Sequence, residues 1–220
     1  MKVFSVIGIS KSGKTTTIEN IIKELKKRNY TVGSVKEIHF EKFKIDTEGS
    51  NTYRHKEAGS QLVTARGIFE TDVLFQRKLS INEILSFYNH DFVILEGVSD
   101  TCAPKIVTAH NVEGILEKMD ETTFAISGQI SDRLLEYEGI PVINSLTNIE
   151  KLVDLIEEKV FEAERRDCAL TDKNITLKIE GKEIAMVPFV QSVLINTIEG
   201  IAKELHGYTE NGDIEICIKR

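Results

Sequence analysis

Cysteine is scarce and scattered. Cys102, Cys168 and Cys217 are the whole set, and no C-x-x-C pair occurs. Neither a zinc nor an iron–sulfur site is signalled, and small apolar side chains in a reducing cytosol are the expectation. Long apolar runs are missing too: nothing approaches the roughly 20 residues a membrane span needs. Positive charge is in deficit, with 28 Lys and Arg against 35 Asp and Glu and a net charge of -7. That argues against a broad nucleic-acid-binding surface. No signal peptide is expected at the start, where the short "VFSVIGI" run is followed by Lys11 and Lys14. A cytoplasmic chain with neither nucleic acid nor membrane as partner is the expectation. There is no internal repeat and no low-complexity segment. The 220 residues, 41% of them hydrophobic, suffice for one large domain or for one domain with an appendage.

What is present is an α/β grammar. "KVFSVIGI" reads as a buried strand, and Ile18, Ile21, Ile22 and Leu25 recur at helical spacing from Lys14 to about Arg28. "YTVGSVKEI" is a second strand, which gives β–loop–α–β. His39 to Arg54 is polar and loop-like. "YRHKEAGSQLVTA" reads as a helix, "VLFQR" as a short strand and "SINEILSFYN" as a capped amphipathic helix. "DFVILEG", "TFAISG" and "IPVIN" read as core strands, the last two joined by a short helix over "SDRLLEYEG" that Gly139 would end. A long amphipathic helix covers "TNIEKLVDLIEEKVFEAERRD". After Cys168 the order becomes β-β-α-β: a hairpin turning at Glu180–Gly181–Lys182, a helix beginning at Pro188, and the alternating "DIEICIK". The expected fold is therefore a P-loop NTPase-like, largely parallel sheet flanked by helices over 1–167, with a small α+β piece over 168–220.

The chemistry starts at Gly8, Ile9, Ser10, Lys11, Ser12, Gly13, Lys14, Thr15 and Thr16. Gly8, Gly13, Lys14 and Thr15 fit G-x-x-x-x-G-K-T between a strand and a helix. Glycines let backbone N–H groups curl inward at phosphate oxygens, and the next helix adds its N-terminal dipole. Lys14, the candidate catalytic residue, brings a point charge to the β/γ-phosphates, and the Thr15 hydroxyl suits Mg²⁺. Glu96, at the end of an apolar strand, is the candidate acid for that metal. Asp46 lies where a mobile loop could carry a further acid to it. Lys11 reads as a surface charge that adds to the phosphate potential. The base is not specified. N-K-x-D, whose Asp accepts from guanine N1 and N2, does not occur, and "INSLTN" suits either a base pocket or helix capping by Ser145, Thr147 or Asn148.

Together these residues resemble the molybdopterin-guanine dinucleotide biosynthesis protein B family over roughly residues 1–160. The resemblance rests on Ser12–Gly13–Lys14–Thr15–Thr16, then Val32, Gly33, Lys36 and His39. It continues with Asp46, Gly49, Arg54, Ala58 and Gly59, and later with Glu96, Gly97, Pro104, Lys105 and Ile106. Glu37 stands where the family usually has His, Ser50, Asn51 and Thr52 replace K-D-S, and Val98 and Ser99 replace an aromatic-containing stretch. These departures bear on partner surface and substrate more than on nucleotide binding. The resemblance implies a homodimeric GTP-binding adapter, weakly hydrolytic with Mg²⁺. It implies work beside the nucleotidyltransferase that attaches GMP to molybdenum cofactor, and strengthens Asp46 as a metal residue. Two alternatives share the phosphate loop: a small-molecule kinase, for which Arg54, Arg66 and Arg77 could supply the arginines of a lid although the pattern shows no lid, and a nucleotide-switched binding module that is not an enzyme.

Overall fold

In the first strand, β1 (Lys2–Gly8), five consecutive residues from Val3 to Ile7 are buried. A half-exposed strand would alternate; burial on both faces requires cover on both. The computed structural model describes residues 1–40, 42–99, 101–161, 175–179, 182–184, 194, 195, 197, 198, 200–202, 205 and 214. It divides the chain into two units, Met1–Leu170 and Thr171–Arg220.

In the first unit β1 is followed by α1 (Lys14–Lys27), β2 (Val32–Lys36), α2 (Asn51–Glu57), β3 (Leu62–Arg66), β4 (Thr71–Phe75) and α3 (Ile81–Leu85). Then come β5 (Phe92–Glu96), β6 (Lys105–Thr108), α4 (Val112–Lys118), β7 (Thr123–Ser127), a 3₁₀ turn (Gln129–Asp132), β8 (Glu136–Tyr137), β9 (Ile140–Pro141) and α5 (Ile149–Lys159). Five strands form one sheet in the order β2-β5-β1-β6-β7, every pair parallel. The chain thus starts in the middle, winds to one edge and returns to build the other. Such reversals open a crevice at the carboxyl ends of the strands. The α/β architecture is the expected one.

Alternation along the strands sorts the core. Phe4, Val6, Phe92 and Ile94 face α1 and α5, meeting Ile21, Leu25, Leu152 and Ile156. Val3, Val93 and Leu95 lie on the other face with Ile81 and Leu85 of α3, and Ile7, Val107 and Ile126 pack with Ile115 of α4. Arg28 ties the C-terminal end of α1 to α5: its guanidinium donates to Asp154 at 2.7 Å, Glu157 at 2.6 Å and the Glu24 carboxylate at 3.0 Å. Lys105, buried within β6, pairs with Asp120. Among the described residues no helix is long and apolar enough to cross a membrane.

Several local expectations fail. "YRHKEAGSQLVTA" is not one helix: α2 ends at Glu57, Gly59 takes φ 100°, and Leu62–Arg66 pairs antiparallel with β4. The left-handed glycine and the β-branched Val63 and Thr64 outweigh helical spacing. "SDRLLEYEG" is likewise no helix. Only the Gln129–Asp132 turn is helical, and β8 folds onto β9 through Glu138 (φ 49°) and Gly139 (φ 80°). "IPVIN" contributes a short hairpin strand and one parallel bridge, Ile126 to Val142, in place of a full core strand. Cys102 is exposed, contrary to the apolar role expected of it; Cys168 and Cys217 lie outside the described residues. The described part of the long helix stops at Lys159, with Val160 already extended, so the expected span to Asp167 is not met.

In the second unit β10 (Leu177–Ile179) pairs antiparallel with β11 (Lys182–Ile184), as a hairpin requires. Residues 194, 195, 197, 198 and 200–202 are helical. The expected helix start at Pro188 lies outside the described residues, and so does the "DIEICIK" strand from Asp213 to Lys219 except for Ile214, which is exposed and in no strand.

Candidate functional site

The site is built on the carboxyl ends of β1, β5, β6 and β7. Between β1 and α1 the chain turns through Lys11 at φ 62° and Gly13 at φ 96°. Gly13 is the N-cap of α1, so no side chain caps the helix, and no acid sits in its first turn. A surface helix usually carries both. Here the first N–H groups are left to an outside acceptor, and an anion suits them.

The loop is held from below by two other strands. Ser12 is buried, and its hydroxyl meets that of Thr108, at the end of β6, at 2.7 Å; Thr108 also donates to the Ile7 carbonyl at 3.1 Å. A Cβ at Gly8 would collide with the Thr108 carbonyl and hydroxyl. From β7, Gly128 (φ 85°) packs so closely that a Cβ there would strike the Ser12 carbonyl. The Gln129 side-chain amide donates to the Lys11 carbonyl at 3.0 Å, and its backbone N–H to the Ser12 carbonyl at 3.3 Å. A left-handed non-glycine residue such as Lys11 costs about 1–2 kcal/mol, and the Gln129 bond fixes the backbone there. Thr108, Gly128 and Gln129 carry no sequence signal of their own.

Lys14 donates to the Gly8 carbonyl at 2.6 Å. Burial lowers its pKa, against the Glu96 carboxylate, which raises it; Lys36 and Lys118 push the same way as burial. The Thr15 hydroxyl donates to Glu96 Oε1 at 3.3 Å, and Lys36 Nζ meets the same oxygen at 2.6 Å. Thr15 and Glu96 thus offer two hard oxygens side by side, a donor set that fits Mg²⁺, while the Lys36 ammonium supplies the countercharge. Ile9, Ser10, Lys11 and Thr16 complete the loop and its helix start, Ser10, Lys11 and Thr16 being exposed.

Asp46 is not joined to that pair by any hydrogen bond. Its Oδ1 accepts from the Ser50 hydroxyl at 2.9 Å and the Thr52 hydroxyl at 2.8 Å, while Oδ2 is buried and unpartnered. Burial would raise its pKa, but the Thr52 and Ser50 hydroxyls and the Thr47 N–H hold it below the usual carboxylate range. Ser50 and Thr52, two of the departures noted in the sequence, are therefore what orients this acid; Ser50 also caps α2 by accepting from Tyr53 N at 3.1 Å. Asp46 and Lys36 line one cavity of about 700 Å³, together with exposed Phe40, Phe43 and Ile45. Glu37, a further departure, pairs with Lys78 at 2.9 Å. Among the described residues no three His, Cys, Asp or Glu side chains gather as a metal cluster.

The "INSLTN" segment does not cap α5 through Ser145, Thr147 or Asn148. Asn148 is the N-cap but makes no side-chain cap bond. Instead the Ser145 hydroxyl meets that of Thr17 at 3.2 Å, and Asn20 donates to the Ser145 carbonyl at 3.2 Å, which pins the segment to α1.

Comparison with known proteins gives a consistent picture. Residues 3–128 match the family model described as molybdopterin guanine dinucleotide synthesis protein B. A Methanocaldococcus jannaschii protein named as a molybdopterin-guanine dinucleotide biosynthesis adapter is 31% identical, over 99% of this chain and 97% of its own length. The Haemophilus influenzae adapter protein of that name is 30% identical over 64% of this chain and 84% of its own. The crystal structure of Bacillus subtilis MobB superposes with a TM-score of 0.61 at 23% identity, covering 74% of this chain and 99% of that one.

Proposed function

This chain belongs to the molybdopterin guanine dinucleotide synthesis protein B family, and on that premise we propose that it binds GTP with Mg²⁺. Its role in this reading is that of an adapter in making the guanine dinucleotide form of molybdenum cofactor. The carrying observation is the uncapped start of α1 beside Lys14, Thr15 and Glu96: an anion site with two metal-suited oxygens at its rim. The relatives' names supply the pathway.

Each residue then has a task. The N–H groups of Gly13 to Thr16 and the Lys14 ammonium hold phosphate oxygens, Lys14 leaving the Gly8 carbonyl to do so. Thr15 and Glu96 hold Mg²⁺, with Asp46 as an acid from the adjacent loop. When bound, that ion neutralises charge on the phosphates. Lys36, paired with Glu96 at 2.6 Å, is the cation that would share that carboxylate with the ion. Slow hydrolysis would draw on the charge of Lys14 at the transferred phosphoryl group. A homodimer, cytoplasmic, working with the nucleotidyltransferase and the pterin cofactor, completes the reading, with residues 168–220 as a separate appendage. A kinase lid is less well supported, because Arg77 is already committed to Glu83 at 2.6 Å.

Equilibrium binding of GTP and ATP, with and without Mg²⁺, tests the assignment. Wild type is expected to bind GTP in a Mg²⁺-dependent way, and Lys14→Ala to lose about 10- to 100-fold, the worth of one charge-assisted hydrogen bond. Equal GTP affinity in Lys14→Ala sinks it.

A further inference from the structure

The phosphate loop selects phosphates and leaves the base unread. Two loops flank it on the β7 side, and both are anchored. The first is the 3₁₀ turn Gln129–Asp132, whose start is fixed by the Gln129 bonds to Lys11 and Ser12. In a 3₁₀ turn residues i and i+3 eclipse, so Asp132 stands on the same side of the turn as Gln129. The second loop follows β9 and is tied to α1 through Ser145, Thr17 and Asn20.

The loops meet at one contact: Asn144 Nδ2 donates to Asp132 Oδ1 at 2.7 Å. Asn144 Oδ1 accepts from the backbone N–H of Leu146 at 2.8 Å and of Thr147 at 3.3 Å, which fixes which end of its amide faces Asp132. Asn144 engages Oδ1 only, so the exposed Asp132 keeps Oδ2 as a second acceptor. Leu146, whose N–H bonds Asn144, is 70% exposed, an apolar side chain on a loop otherwise committed to polar bonds.

We propose that Asp132 reads the guanine base of the bound nucleotide, accepting from N1–H and the N2 amine. Gln129 and Asn144 are positioning residues, and Leu146 packs on the base face. An ionised carboxylate only accepts. Guanine presents two donors side by side on that edge; adenine presents an acceptor at N1, which a carboxylate repels. The spacing of Gln129 and Asp132 supplies what N-K-x-D would, with a glutamine amide on the phosphate loop and an acid three residues on. This inference rests on the nucleotide reading above.

The test is calorimetric titration of the full chain and of Asp132→Asn with GTP, ATP, xanthosine triphosphate and inorganic tripolyphosphate. Wild type is expected to prefer GTP over ATP at least about tenfold. In Asp132→Asn, GTP binding falls about 10- to 100-fold. Xanthosine triphosphate binding rises, because the new amide donates to its C2 carbonyl, and tripolyphosphate binding is unchanged. Asn144→Leu, a second variant, lowers the GTP-to-ATP ratio and leaves tripolyphosphate alone; a merely structural role would lower all ligands together. If wild type binds tripolyphosphate, and Asp132→Asn binds GTP as wild type does, the base assignment is overturned and the phosphate site stands. If wild type binds neither tripolyphosphate nor GTP, the nucleotide reading fails and this one with it.

Discussion

The phosphate loop and the loop from Ile38 to Ser50 are both candidate ligand contacts, and they are held in opposite ways. The phosphate loop is supported by its neighbours: Thr108 from β6, and Gly128 and Gln129 just after β7, fix Ser12 and Lys11. The second loop holds itself, Asp46 being clasped by Ser50 and Thr52 a few residues on, while Phe40, Phe43 and Ile45 stay exposed. A cradle that must match a fixed ligand is built into the sheet; an acid that must arrive with its ligand is better carried on a segment with few outside ties.

Gly128→Ala should break the first side of this contrast most severely. The methyl collides with the Ser12 carbonyl at a left-handed φ. We expect a loss of about 2–4 kcal/mol, read as a fall in Tm of about 4–16 °C, together with most GTP affinity. Thr108→Val comes next. It removes the hydroxyl that meets Ser12 and Ile7 and leaves buried groups unpaired, for about 1–3 kcal/mol by denaturant unfolding. Ser50→Ala should sharpen the second side: about 1 kcal/mol from loss of the α2 cap, with tripolyphosphate affinity unchanged. A drop in phosphate binding there would show that the two loops are not independent.

The smallest effect is a titration. The Asp46 carboxyl is held low by hydroxyl bonds, so what it adds to stability is complete above the unfolded-state pKa, near 4 for Asp. That stability is lost as pH falls through the lowered folded value. Thr52→Val should move the Asp46 carboxyl resonance midpoint upward in an NMR pH titration; an unmoved midpoint would remove the clasp from the account.

This contrast also marks what could be read from residues alone. The strands "KVFSVIGI" and "DFVILEG" are continuous apolar runs because both sheet faces are covered, and Gly8, Gly13, Lys14 and Thr15 announce their task by adjacency. The cradle's supports do not, because Thr108 and Gly128 reach Ser12 only through the strand order. Asp132 was hidden for the same reason, and by a misread helix: Leu134 and Tyr137 fall at helical spacing, yet the chain turns back at Glu138. Ser50 and Thr52 looked like losses from a family pattern until their hydroxyls were seen on Asp46.

The strand order acts as a ruler. β5 ends at Glu96, β1 at the phosphate loop, β6 at Thr108 and β7 at Ser127, which leads through Gly128 to Asp132. Parallel neighbours lie about 4.8 Å apart, so from β5 to β7 the sheet edge measures about 14 Å in three equal divisions. Metal end, phosphate end and base end would each be read off at its own mark. The spacing between them is set by backbone hydrogen bonds that no side-chain substitution resets.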